Sequence, residues 1–175
     1  MIITLIKENA MNYDLFKEGK KILRAELKAL RPTKFINNKG FIQHGTTTVY
    51  QHCVSVAYRS VLIAATFNID VDMKSLIRGA LLHDYFLYDW HGKKLKELHG
   101  FHHPRIAWVN ATRDFELNER EQDIIRKHMF PMTIVPPKYR ESWIICIADK
   151  VVSSQETLKM KPNHMRPKSG GSLLA

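Results

Sequence analysis

Cysteine is scarce in this chain: Cys53 and Cys146 are the only two in 175 residues. That is too few for a disulfide scaffold, and the pair lacks the spacing of a metal finger. Both lie in apolar runs and read as small, reduced core residues of a cytoplasmic protein. Long hydrophobic runs are missing too. The longest uncharged apolar stretch, residues 142–148, stops at Asp149 and is far too short to span a bilayer. The N-terminus has no basic region followed by a long apolar core and a small-residue cleavage site, so no secretory signal and no membrane partner are expected. Acidic residues are few, 17 against 27 basic ones, for a net charge of +10. The resulting positive field favours anionic partners: a small phosphate-containing molecule such as a nucleotide or polyphosphate, or else nucleic acid or phospholipid headgroups. There is no internal repeat and no strand-like alternation.

What is present is helical periodicity nearly throughout, and the expected fold class is all-α. Leu15, Ile22, Leu23, Leu27 and Leu30 share one helical face over residues 12–30, and Arg31-Pro32 ends that helix. Residues 31–45 read as a loop. Thr46 to Thr48 can cap a second helix running to about Phe67, and Asp72 a third ending near His83. The aromatic-rich stretch from Asp84 to His103 reads as irregular, with Pro104 in the first position of a fourth helix reaching about Phe115. Asn118 and Glu121 form a capping-box pattern for a fifth helix that ends at His128. A sixth is expected from about Lys138 to Lys159. Residues 1–160 are expected to form one compact helical domain, and the basic tail 161–175 to be disordered.

Against this background, metal-capable side chains recur on apolar helix faces. His52 has Val49 and Val56 a turn away on either side. His83-Asp84 follows Ala80-Leu81-Leu82, and His128 follows Ile124-Ile125 by one turn. Asp149 lies a turn from Ile145, Cys146 and Val152. A carboxylate on such a face is costly to bury without a cation or hydrogen-bond donors. One shared metal centre satisfies all of these groups together, where the alternative needs four separate buried networks. A further histidine comes from Leu98-His99-Gly100-Phe101-His102-His103-Pro104, where His103 is chosen because it directly precedes the helix expected at Pro104.

The series His52, Leu81-Leu82-His83-Asp84-Tyr85, His103, Ile124-Ile125-x-x-His128 and Ala148-Asp149-Lys150 resembles the HD superfamily of metal-dependent phosphohydrolases, in its two-metal form, over residues 46–155. Its layout is most similar to small bacterial HD proteins that split diadenosine tetraphosphate symmetrically into two ADP. It departs from them in having Phe86-Leu87-Tyr88-Asp89-Trp90 where those proteins often carry a lysine. The Gly-Tyr-Pro motif of cyclic-dinucleotide phosphodiesterases is absent.

The resemblance implies a helical bundle with a metal centre between its helices. His52, His83, Asp84 and Asp149 would hold one divalent cation, and Asp84 would bridge to a second held by His103 and His128. His83 and Asp84 are the expected catalytic pair, with hydrolysis by a hydroxide held on the metals. The nitrogen-rich donor set suits transition metals, iron or manganese first by resemblance, with zinc, nickel and cobalt also compatible. Lys93, Lys94, Lys96, His99, Arg105 and Lys150 are candidate phosphate contacts. Tyr85, Phe86, Tyr88, Trp90 and Phe101 either stack a base or pack the loop onto the helices, the second being the simpler reading. Two alternatives stand beside the nucleotide phosphohydrolase: a cyclic-nucleotide or RNA phosphodiesterase, and a non-catalytic metal, nucleotide or nucleic-acid binding module using the basic tail (Lys159, Lys161, Arg166, Lys168). The intact donor set argues against the last, and no nucleic-acid-binding motif is visible.

Overall fold

Each early helix starts at a side chain that can accept a hydrogen bond from its first turn. In the computed structural model, which describes residues 11–91 and 96–160 (backbone alone at 96–99 and 159–160), Asn12 caps α1 (Tyr13–Leu30) through the amide of Leu15. Thr48 and Gln51 form a complete capping box at the start of α2 (Val49–Thr66). Asp72 accepts from Ser75 N at 3.0 Å and opens α3 (Met73–Leu82). Asn118 and Glu121 form a second complete box for α5 (Glu119–Lys127). These bonds satisfy amides that have no partner within the helix. The remaining helices are α4 (Lys96–Asp114) and α6 (Arg140–Met160). The fold is all-α, with one small exception among the described residues.

That exception corrects the expected loop at 31–45. A 3-10 helix spans Lys34–Gly40, followed by an antiparallel pair, β1 (Ile42–His44) and β2 (Thr47–Thr48). Ile42 faces Thr48 and His44 faces Thr47, with Gly45 at φ 59° in the turn between them. Strands of three and two residues are too short for alternation to register in sequence. The hairpin packs on α2 and α6.

A second correction concerns α4. It begins eight residues before Pro104 and carries the proline in its interior. The missing N–H removes one bond to Gly100. In exchange, His103, Ala107 and Ala111, spaced four apart, all face the core. His103 is therefore a helical residue and not a loop residue as expected.

The core forms where α2 packs on α3 and α6, α3 on α5, and α1 on α2 and α3. Val56, Val61, Leu76, Ile77, Leu81, Ile124 and Ile145 are fully buried there. The approach of α3 to α5 requires Gly79, since a Cβ there would run into Ile124 Cδ1. Cys53 and Cys146 are free and buried. None of the described helices is long and apolar enough to cross a membrane. The tail 161–175 lies outside the described residues.

Candidate metal centre

Two histidines occupy the C-caps of their helices, His83 on α3 and His128 on α5. Each turns Nδ1 back on a carbonyl three residues earlier: Ala80 O at 2.7 Å and Ile125 O at 3.0 Å. A carbonyl only accepts, so Nδ1 carries the proton in both rings and Nε2 presents its lone pair. His52, on α2, holds Nδ1 against Glu156 Oε2 at 3.0 Å, and since a carboxylate only accepts, Nδ1 carries a proton there too. His103 comes from α4 and Asp149 from α6. All six groups are buried.

The four histidines and Asp149 gather around Asp84, which follows the C-cap of α3. Its Oδ2 lies 3.7 Å from His52 Nε2 and 3.5 Å from His83 Nε2. Its Oδ1 lies 3.2 Å from His103 Nε2 and 3.5 Å from His128 Nε2. Asp149 Oδ1 closes the first group, 3.1 Å from His52 Nε2 and 4.0 Å from His83 Nε2. On the other side, His103 Nε2 and His128 Nε2 approach to 2.9 Å. The donor atoms of His52, His83 and Asp149 lie within 4.8 Å of one another, as do those of His83, Asp84 and His128.

Burial and charge act in opposition here. Burial pulls His83 down to about 4, leaving it neutral at pH 7. Burial opposes a charge on His52 as well, yet the carboxylates of Asp149 and Glu156 raise it to about 10. For Asp84, burial works against ionisation, but His83 and His103 hold it well below the usual carboxylate range. Asp149 is likewise ionised, with His52 and His83 outweighing its burial. In the cation-free protein a neutral His83 and a protonated His52 thus stand beside two ionised carboxylates.

Sequence reasoning missed Glu156 and Gln43. Glu156 lies seven residues past Asp149, two turns along α6, so helical spacing could have found it. Gln43 donates from Nε2 to Asp84 Oδ2 at 2.8 Å, and it sits on β1, which no sequence signal marks. The centre floors a cleft of about 620 Å³, whose walls include His44, Trp90, Met129, Met132, Lys150 and Ser153. His44 is half-buried, with its ring 6.1 Å from that of His52 and 6.4 Å from that of Trp90.

The candidate substrate contacts separate. Lys150 reaches the cleft, where its Nζ donates to the carbonyls of Cys146 at 3.2 Å and His128 at 3.4 Å. Arg105 is exposed on α4, two residues past His103, and is not among the residues lining the cleft. Lys93 and Lys94 lie outside the described residues, as do the side chains of Lys96 and His99. His102 is exposed. Of the aromatic residues, Tyr85 and Phe86 are buried packing residues, Tyr88 packs against Phe86, Phe101 is exposed, and Trp90 lines the cleft.

Nε2 of His52, Nε2 of His83 and Oδ1 of Asp84 are buried without a hydrogen-bond partner, although each has a charged or polar neighbour within 4 Å. The contacts are close without forming hydrogen bonds, and the donor atoms cluster within 4.8 Å of one another in two sets. Buried polar atoms rarely go unsatisfied, and a divalent cation fits this donor set. No curated protein and no solved structure gives a significant match to the chain. The HD domain model matches residues 49–153, well over half of the chain and spanning every one of these converging donors, so the chain belongs to the HD domain family of metal-dependent phosphohydrolases.

Proposed function

We propose that the chain is a two-cation phosphohydrolase acting on a nucleotide-type substrate, with diadenosine tetraphosphate the first to test. One observation carries this reading: the two oxygens of Asp84 face different histidine sets, His52 and His83 on one side and His103 and His128 on the other. A bridging carboxylate needs that arrangement. His52, His83, Asp84 and Asp149 would hold one cation, and Asp84, His103 and His128 the other. When bound, the pair supplies Lewis acidity, acidifying water and neutralising charge on the phosphoryl oxygens. Iron or manganese are the first choices, and the nitrogen-rich donors also accept zinc, nickel or cobalt.

The chain's own residues orient and select. The carbonyls of Ala80 and Ile125 lock the tautomers of His83 and His128. Lys150 places a positive charge at the cleft for a phosphate. Trp90 and His44 offer rings for stacking a base, with Met129 and Met132 completing an apolar wall. The net charge of +10 supports an anionic substrate. The two free, buried cysteines support a reducing, cytoplasmic setting.

The test is a substrate panel with metal-reconstituted protein. Release of ADP from diadenosine tetraphosphate, lost in Asp84→Ala together with bound metal, is the expected result. Cleavage of bis-p-nitrophenyl phosphate or cyclic nucleotides, with polyphosphates untouched, would replace it with the phosphodiesterase reading. Tight nucleic-acid binding without hydrolysis under any metal would overturn the enzyme.

A further inference from the structure

The HD match begins at Val49, immediately after the β1–β2 hairpin. The hairpin nevertheless reaches into the centre. It packs on α2 and α6, the helices that carry His52 and Asp149, and inserts Gln43 beside Asp84. Gln43 is 7% exposed, and its Nε2 lies 2.8 Å from Asp84 Oδ2. A carboxylate oxygen at this charge state only accepts, so the amide must present its NH2 end there. Its other end, Oε1, is buried without a partner. The hydrogen bond of the Gln43 side chain thus goes to Asp84 and not to the hairpin's own backbone.

The bond has a geometric consequence. A carboxylate oxygen has two lone pairs, so Oδ2 can accept from Gln43 and still face His52 and His83. Held at Oδ2, the carboxylate cannot rotate freely about its bond to Cβ, and Oδ1 stays turned toward His103 and His128. The second donor set depends on that rotation more than the first, because Asp149 supplements the first and no carboxylate but Asp84 serves the second among the described residues.

We propose that Gln43 is a positioning residue of the cation centre, fixing the rotation of Asp84 so that each carboxylate oxygen serves its own histidine set, and that the hairpin is thereby part of the working site. This rests on the two-cation reading above.

The test titrates Mn2+ into the metal-stripped full chain, counting bound ions by calorimetry and following their exchange coupling by electron paramagnetic resonance. Wild type is expected to bind two ions per chain with an exchange-coupled spectrum. Gln43→Met fills the same space without a donor. It is expected to keep the first ion and bind the second about 10- to 100-fold more weakly, losing the coupled spectrum at concentrations that saturate wild type. Two coupled ions in wild type with Gln43→Met unchanged would overturn the positioning role while leaving the two-cation reading intact. One ion or none in wild type would overturn that reading and this proposal with it. Should Gln43→Met lose its helical circular dichroism, Gln43→Asn takes its place. Its amide is one methylene too short to reach Oδ2, so the same selective loss is expected, and two coupled ions there would overturn the proposal.

Discussion

Glu156 Oε2 sits 3.0 Å from Nδ1 of His52, on the opposite side of the imidazole from Asp149. The two carboxylates come from positions two turns apart on one helix and grip the same buried ring from both edges. Glu156 therefore orients His52 and raises the basicity of its Nε2, as carboxylates behind metal-binding histidines do. Glu156→Gln preserves shape but removes the charge. Its expected effect is about a 10- to 100-fold loss of metal affinity, read by competition with a chelator. Unchanged affinity would reduce Glu156 to a packing residue.

The cation-free protein has opposite pH limbs. His52 is raised from 6.5 to about 10, so its contribution to stability is full below 6.5 and is lost as pH rises through 10. His83 is lowered to about 4, so its contribution is full above 6.5 and is lost as pH falls through 4. The depressed Asp84 and Asp149 add to the acid limb. Tm measured without metal is expected to peak near neutrality and fall on both sides. His52→Gln should flatten the alkaline side, and an alkaline limb that survives that substitution would contradict the assignment.

His103 and His102 adjoin in sequence, but only His103 is buried, 3.2 Å from Asp84 Oδ1. His103→Ala is expected to lose one of two metals by elemental analysis and with it turnover. His102→Ala should retain both. The reverse pattern would move the site off the buried face of α4.

Gly79 permits the contact of α3 with α5. A Cβ there would run into Ile124 Cδ1 and lie 3.1 Å from its Cβ and Cγ2. Gly79→Ala is expected to destabilise by about 1–3 kcal/mol, seen as a fall of several degrees in Tm. Ile124→Val, which lacks Cδ1, should recover part of the loss in the double variant. Additive losses would show that the two positions do not meet.

Local chemistry was legible in the residues themselves. Thr48, Asp72 and Asn118 cap where their side-chain oxygens predict, and the spacing of His52, Asp149 and His128 on apolar faces marks them as inward-facing. The sequence determined that buried imidazoles and carboxylates must meet something, because their desolvation cannot otherwise be met. It did not disclose which oxygen of Asp84 faces which histidine, since that depends on how α2, α4 and α5 pack around the end of α3. Gln43 was invisible because a three-residue strand has no period to detect. Arg105 was a candidate as part of the basic run after the His83-Asp84 pair, whereas on the helix it lies two residues from the buried His103 and on the exposed side. Pro104 read as a helix start because its missing N–H costs nothing there, whereas the packing of His103, Ala107 and Ala111 on the core carried the helix straight through it. Tertiary packing decided these points because they depend on contacts between segments distant in the chain, which no local pattern encodes.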